Sequence, residues 1–109
     1  MKHNIKVSVL VPFYNVENYV GRCLDSLFTQ TYKNIEYVFV DNCSTDASRE
    51  IVAKSIVKYG MAEQCKVIVH EQNMGISVSR NDCLDNMTGD YFYLLIATTI
   101  LTMIWWNYW

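Results

Sequence analysis

Short apolar runs alternate along the chain with longer segments in which apolar residues recur every three or four positions. The first run, residues 7–11, is β-branched and almost continuously apolar, as expected for a strand that is buried on both faces. Pro12 is expected to end this strand because it has no backbone N–H to donate to a sheet. Similar runs predict strands at residues 37–40, 65–70 and 91–95.

Helical spacing between these runs predicts three helices. The first would span about fourteen residues, with Asn15 as its N-cap and an apolar face formed by Tyr19, Val20, Cys23, Leu24, Leu27 and Phe28. The second would be capped by Ser44 or Thr45 and closed by Gly60, with an apolar stripe formed by Ala47, Ile51, Val52, Ile56 and Val57. The third would cover residues 76–86.

Strands that are separated by helix-sized connections cannot form hairpins, so they predict right-handed crossovers and a parallel sheet. The expected fold class is therefore α/β, a Rossmann-like sandwich of three layers with helices on both faces of the sheet. With 109 residues, the chain is long enough for one domain.

Polar residues follow each of the first three predicted strands, at the edge where parallel α/β sheets bind ligands. A planar base could stack on Tyr14, Asp41 or Asn42 could accept its ring N–H, and Arg80 could meet phosphate oxygens. The chain has neither a Gly-x-Gly-x-x-Gly fingerprint nor a Walker A loop. The candidate site residues are Pro12, Tyr14, Asn15 and Glu17 after the first strand, Asp41 and Asn42 after the second, and Asn73, Gly75 and Arg80 after the third.

Charge and cysteine content narrow the class of protein further. The formal net charge is −2 and the Lys and Arg residues are scattered, which argues against a nucleic-acid partner. The four cysteines form no Cys-x-x-Cys pair and are expected to be buried thiols in a reducing compartment. The amino terminus has no signal-peptide pattern, so we expect a cytoplasmic protein, or one at the inner membrane face.

Several motifs occur in a fixed order: VSVLVPFYNVENYV (residues 7–20), LDSL (24–27), QTY (30–32), VDNCSTD (40–46), NMGISVSRN (73–81) and GDY (89–91). This series, over roughly residues 5–95, resembles the amino-terminal part of the family 2 glycosyltransferases, which are inverting enzymes of the GT-A fold. The resemblance implies transfer of a sugar from a nucleotide-sugar donor, commonly a UDP-sugar, to a saccharide or lipid-linked acceptor.

The same resemblance implies roles for individual residues. Tyr14 would stack on the base and Glu17 would line its pocket, while Asp41 and Asn42 would contact the base or ribose. Arg80 would lie near the diphosphate. The family often has Asp where this chain has Asn42, but an Asn side chain still offers a carbonyl oxygen to a base N–H.

After its fourth strand the family has an Asp-x-Asp motif that binds Mg²⁺ or Mn²⁺ at the donor diphosphate. This chain has Ile-Ala-Thr-Thr at residues 96–99, and a threonine hydroxyl cannot replace an anionic metal ligand. The resemblance therefore implies Mg or Mn for a full-length member, whereas this chain is assigned no metal ligand and no catalytic residue. An inactive nucleotide-binding fragment and a membrane-anchored GT-A-like domain stay open as alternatives.

From Tyr91 to Trp109 the chain has no charged side chain. We therefore divide it into a partial GT-A nucleotide-binding domain, residues 1–95, and an aberrant apolar tail, residues 96–109. Ile-Ala-Thr-Thr can be encoded as ATA GCG ACG ACN, and one added G in front gives GAT AGC GAC GAC, which encodes Asp-Ser-Asp-Asp. A single-base deletion after Leu95 is the favoured hypothesis. A membrane span and a native ending that packs on the sheet are the alternatives.

Overall fold

The computed structural model describes residues 5–95, in which four parallel strands form one sheet in the order β3-β2-β1-β4. The α/β class and the parallel sheet that the sequence predicted are confirmed. The elements in chain order are β1 (Val7–Phe13), α1 (Val20–Leu27), β2 (Ile35–Asp41), α2 (Ser48–Lys58), a 3-10 turn (Ala62–Gln64), β3 (Cys65–Val69), α3 (Ile76–Asn86) and β4 (Tyr91–Leu94).

Helices cover both faces of the sheet and give the three predicted layers. Alternate residues of a strand point to opposite faces, and so β1 and β2 contribute to two separate cores. Val9 and Phe39 pack in the core on the face that α1 and α2 cover, whereas Leu10 and Val38 pack with Cys83 of α3 on the other face. Burial on both faces explains why the two central strands are almost continuously apolar.

The prediction that Pro12 ends the first strand is wrong, because β1 continues through it to Phe13. Phe13 accepts a hydrogen bond from the Asn42 N–H on the β2 side, whereas Leu10 accepts one from the Leu95 N–H on the β4 side. The alternation along a parallel strand places the nitrogen of Pro12 on the β4 side. The described pairing with β4 stops at Leu10, beyond which Pro12 has no N–H to donate to β4, whereas the pairing with β2 continues through Pro12 to Phe13.

The first helix is shorter than predicted, and Asn15 does not cap it. The helix begins after Tyr19, which has no side-chain capping bond and is exposed rather than part of the apolar face. Asn15 instead has a left-handed φ of +48° and binds Thr45 through its side chain. Ser44 and Thr45 do not cap α2 either, since both bind Asn15.

The second helix ends as predicted at Gly60, whose φ is +65°. Gly60 N–H donates to Val57 O at 3.1 Å and Met61 N–H donates to Ile56 O at 3.0 Å, which is the paired pattern of a glycine-terminated helix. Val57 was predicted to lie in the apolar stripe, but it is 77% exposed. The third predicted helix, residues 76–86, is confirmed.

All four cysteines are free thiols. Cys23 and Cys83 are buried as predicted, and burial raises the pKa of the Cys23 thiol to about 11 and that of Cys83 to about 12. Cys43 and Cys65 are only partly buried, so the prediction fails for these two. Across residues 5–95, no helix combines the length and apolarity needed to cross a bilayer.

A buried carboxylate joins three segments at the amino ends of the strands. Glu36 of β2 accepts hydrogen bonds from Ser8 Oγ at 2.5 Å, from Thr88 Oγ1 at 3.0 Å, from Gly89 N–H at 3.1 Å and from Thr88 N–H. Burial by itself raises the pKa of Glu36. The hydrogen bonds from Ser8 and Thr88, together with the charge of Lys6, outweigh it and bring the pKa to about 2.

Gly89 lies in this contact at very close range, and Gly89→Ala is expected to destabilise the fold by about 2 kcal/mol. An added Cβ would overlap Ser8 Oγ and would lie 2.9 Å from both Lys6 O and Ser8 N, so the backbone would have to shift. Urea denaturation measures the loss. Gly21→Ala is the matched control, because its Cβ would meet only an Ile51 methyl group at 3.7 Å and a helical glycine gains from the change. Equal unfolding midpoints for the two variants would contradict the expectation.

Candidate functional site

Three loops lie side by side at the carboxyl edge of the sheet. The β1 loop comprises residues 14–19, the β2 loop residues 42–47 and the β3 loop residues 70–75. Phe13 pairs with Asp41, and Asp41 pairs with Val69, so the three strands end at the same level. Sequence reasoning placed the candidate site at this edge, and the structure brings the three loops together there.

Asn15 fastens the β1 loop to the β2 loop. Its backbone N–H donates to Ser44 Oγ at 3.0 Å, and its side-chain Oδ1 accepts the Thr45 N–H at 2.8 Å. Its Nδ2 also donates to Thr45 Oγ1 at 3.2 Å. Asparagine tolerates a positive φ better than most residues, so the residue type suits both the turn and the contact. The side chain of Asn15 therefore holds the loops in place.

Glu17 lies against the start of α2. Its Oε1 accepts the Ala47 N–H at 2.9 Å, and its own N–H donates to Asp46 Oδ2 at 3.2 Å. Ser48 Oγ accepts the neighbouring Val16 N–H at 2.7 Å. A carboxylate near a helix N-terminus is favourable because free N–H groups converge there. Sequence reasoning did not find this role for Glu17.

Asp41 is fully buried, with a partner on each carboxylate oxygen. Oδ1 accepts the Ser44 N–H at 2.8 Å, and Oδ2 accepts the Arg49 Nε–H at 2.6 Å. The Arg49 side chain is 48% exposed, so a ligand N–H reaches Asp41 only if Arg49 moves aside or shares the carboxylate. Sequence reasoning missed Arg49, because an arginine in the first turn of a helix is an ordinary surface residue.

Asn42 connects the β2 loop to the β3 loop. Its Oδ1 accepts the Met74 N–H at 2.8 Å, and its Nδ2 donates to Asn73 Oδ1 at 2.9 Å. Asn73 Oδ1 also accepts the Gly75 N–H at 3.0 Å. The carbonyl oxygen that the sequence offered to a base N–H thus already has a partner within the protein. One of its two lone pairs is directed to Met74.

Of the remaining candidates, Tyr14 and Arg80 present their side chains to solvent. Tyr14 is 43% exposed, Arg80 on α3 is exposed, and neither side chain has a hydrogen-bond partner among residues 5–95. Pro12 is partly buried at the end of β1. Gly75 takes a φ of +89° immediately before α3, a conformation that favours glycine.

The sequence also missed a contact behind the β3 loop. His70 Nε2 lies 2.5 Å from Asp82 Oδ2 on α3, and its Nδ1 lies 3.3 Å from Asn42 Oδ1. The two partners of His70, Asp82 and Asn42, are 12 and 28 residues away from it along the chain. No local pattern in the sequence could have found them.

The described residues do not fit a divalent metal ion. Within residues 5–95, no cluster of three or more His, Cys, Asp or Glu side chains is placed to hold one. The carboxylates at this edge are engaged, with Asp41 bound to Arg49 and Glu17 bound to the start of α2. Residues 96–99, where the resemblance expects Asp-x-Asp, lie outside the described residues, as does the rest of the predicted apolar tail.

A cleft of about 400 Å³ lies at the opposite, amino edge of the sheet. Lys6, Lys33 and Lys66 line it together with Glu36 and Glu63. In parallel α/β folds, ligands bind beyond the carboxyl ends of the strands. We therefore assign the candidate site to the three loops and not to this cleft.

A parallel α/β sheet with three loops joined by hydrogen bonds at its carboxyl edge defines a Rossmann-like domain. Residues 8–97 match glycosyl transferase family 2, and the chain belongs to that family. It is 48% identical over 86 residues to the glycosyltransferase GlyA of Streptococcus pneumoniae serotype 4, a match that covers 79% of this chain and 12% of GlyA. It is 34% identical over 91 residues to the putative glycosyltransferase EpsE of Bacillus subtilis, with 84% of this chain and 32% of EpsE covered.

Solved structures bear out the GT-A fold. S. aureus TarS 1–349 in complex with UDP-GlcNAc matches with a TM-score of 0.76 and 35% identity, over 86% of this chain and 27% of that one. A mannosyltransferase from Pyrobaculum calidifontis, at 24% identity, supports the fold alone, with a TM-score of 0.79 over 88% of this chain and 28% of its own. The chain thus spans about a third or less of the length of these relatives.

Proposed function

We propose that the complete protein transfers a sugar from a nucleotide-sugar donor, a UDP-sugar, to a saccharide or lipid-linked acceptor with inversion. Residues 5–95 would supply the part that holds the nucleotide. The observation that carries the proposal is the edge at which hydrogen bonds join three loops to one another while Tyr14 and Arg80 stay exposed. TarS, which is 35% identical and has been solved with UDP-GlcNAc, supports the choice of a UDP-sugar.

The exposed groups suit the two ends of a nucleoside diphosphate. The Tyr14 ring offers a flat apolar face on which a base can stack. The Arg80 guanidinium offers a planar set of donors that fits phosphate oxygens. Asn73 and Gly75 lie between them in the chain, in the β3 loop, whose shape Asn42 holds. Asp41 fixes the β2 loop and is shielded by Arg49, so its predicted contact with the base requires Arg49 to share the carboxylate.

The metal is proposed for the complete protein only. When bound, Mg²⁺ or Mn²⁺ would stabilise the negative charge that develops on a departing diphosphate. The described residues offer no ligand set for it, and residues 96–99 contain no carboxylate. We therefore expect this chain to bind UDP with the same affinity with and without Mn²⁺, and to transfer no sugar.

Calorimetry with UDP tests the nucleotide site. Tyr14→Ala is expected to weaken UDP binding about tenfold, because stacking of one base on an aromatic ring contributes roughly 1–3 kcal/mol. Tyr14→Phe keeps the ring and is the matched control, with an expected affinity close to that of the wild-type chain. Tyr14 is exposed, so neither variant disturbs the core.

A wild-type chain that does not bind UDP would refute the proposed site, as would a Tyr14→Ala variant that binds UDP normally. Binding of flavin or NAD in place of UDP would favour a flavodoxin-like or dehydrogenase domain. UDP binding that strengthens with Mn²⁺ would show that the chain holds metal ligands that the described residues lack.

A further inference from the structure

We propose that His70 is a positioning residue for the nucleotide site, which acts through Asn42 to hold the β3 loop in the shape that the donor needs. The inference rests on the proposed function, because it assigns a purpose to the shape of that loop. His70 itself would touch no ligand.

The ring of His70 lies between α3 and the β2 loop. The backbone of His70 is fixed by its N–H, which donates to Asp41 O at 2.9 Å, and its side chain is only 10% exposed. One ring nitrogen, Nε2, lies 2.5 Å from Asp82 Oδ2 on α3, and the other, Nδ1, lies 3.3 Å from Asn42 Oδ1. The ring therefore bridges an acidic side chain of the helix and an amide of the site.

The amide of Asn42 has only one orientation that satisfies its neighbours. Its Nδ2 donates to Asn73 Oδ1, and its Oδ1 accepts the Met74 N–H, so the oxygen is the atom that faces His70. Only a protonated Nδ1 can bond to that oxygen. A ring that carries protons on both nitrogens donates to Asn42 and to Asp82 together, whereas a neutral ring serves one of them.

The contact reaches the residues proposed to meet the donor. Asn42 holds Asn73 and Met74, and Asn73 in turn accepts the Gly75 N–H at the start of α3, the helix that carries Arg80. Without the contact from His70, the Asn42 side chain would keep its hydrogen bonds with Asn73 and Met74 but lose one of its supports, so these bonds would open more often. The β3 loop would then have to be ordered again when the nucleotide binds.

Two near-isosteric variants separate the two halves of the bridge. In His70→Asn, the side-chain Nδ2 takes the place of ring Nδ1 and keeps the bond to Asn42. In His70→Gln, Nε2 takes the place of ring Nε2 and keeps the bond to Asp82. We expect hydrogen exchange of the Met74 amide to be roughly fivefold faster in His70→Gln than in the wild-type chain, and close to wild type in His70→Asn, because one hydrogen bond contributes about 1 kcal/mol.

UDP affinity is expected to fall about fivefold in His70→Gln and less than twofold in His70→Asn, for the same reason. Urea denaturation of both variants supplies the control. A merely structural role would lower affinity in proportion to stability, whereas a positioning role separates the two variants at equal stability. If His70→Gln does not fold, His70→Ala, which also removes the Nδ1 contact with Asn42, should show the same faster Met74 exchange.

Equal Met74 exchange rates in the two histidine variants would overturn the inference. If the wild-type chain binds UDP and the two variants bind it equally well, only the inference is overturned. If the wild-type chain does not bind UDP at all, the proposed nucleotide function is refuted and His70 loses its role toward the donor. The two failures are therefore distinguishable.

Discussion

Replacing Glu36 by alanine is expected to destabilise the fold by about 4 kcal/mol at pH 7, because breaking a buried charge network leaves several partners without an acceptor. Ser8 Oγ–H, Thr88 N–H and Gly89 N–H all donate to this one carboxylate. They lie in β1 and in the turn that leads into β4, so the loss would loosen the pairing of β4 with the sheet. Urea denaturation measures the change in the free energy of unfolding.

The same carboxylate makes stability depend on pH. Its pKa is about 2 in the folded protein, against an ordinary value of 4.5. Because the folded pKa lies below the unfolded one, the contribution of Glu36 is fully present above pH 4.5 and is lost as the pH falls from 4.5 toward 2. Glu36→Gln should flatten the stability curve of the chain in that window.

Glu63→Gln is the matched control, since Glu63 is an exposed carboxylate in the 3-10 turn with no bond to the sheet among residues 5–95. It should leave both the midpoint at pH 7 and the acid limb of the curve unchanged. If the stability of Glu36→Gln fell with pH in the same way as that of the wild-type chain, Glu36 would not be the source of the pH dependence.

The sequence predicted the sheet well because the signals for it are local. The apolar runs of β1 and β2 and the helical spacing of α3 are patterns among residues that are close in the sequence. The handedness of crossover connections then predicts that the strands are parallel. The contacts of Glu36 are different, since its partners are 28 to 53 residues away. From the sequence alone, a charged residue such as Glu36 next to an apolar run is expected at a solvent-exposed strand end. Only the folded structure shows that the turn at Thr88 covers it.

Pro12 shows the same limit on a smaller scale. Whether a proline can sit inside a strand depends on which neighbour its nitrogen faces and on how far that neighbour extends. In this sheet β4 is the shorter partner and its described pairing ends before Pro12, a fact of the assembled sheet that no rule on proline alone contains.

The meeting of the three loops at the carboxyl edge could be predicted, but the contacts that their residues make there could not. Topology places the three loops at the carboxyl edge whatever their sequences. Asn15, Glu17 and Asn42 carry the amide and carboxylate groups that a ligand would use, and the same groups are suited to capping backbone N–H donors. Sequence cannot distinguish these uses. In the structure the side chains of all three hold loops, whereas Tyr14 and Arg80 are exposed and have no side-chain hydrogen-bond partner among residues 5–95.

Asp41→Asn is the second substitution with a large expected effect, a loss of about 3 kcal/mol in the free energy of unfolding. Each oxygen of the Asp41 carboxylate accepts an N–H, one from Ser44 and one from Arg49. An amide must turn its own NH₂ group toward one of these donors, and the site is fully buried, so water cannot relieve the conflict. The β2 loop would shift, and UDP binding should weaken more than tenfold along with it.

Arg49→Gln provides the partner for a double-mutant cycle. The exposed half of the Arg49 side chain is screened by solvent, so the ion pair alone contributes little and most of the cost comes from the unsatisfied group at Asp41. In the double variant, the NH₂ group of the amide introduced by Asp41→Asn can donate to the glutamine oxygen introduced by Arg49→Gln, in place of the lost guanidinium contact. The two effects should therefore be less than additive by about 1 kcal/mol. Full additivity would mean that Asp41 and Arg49 act independently, and that the β2 loop is held by Ser44 alone.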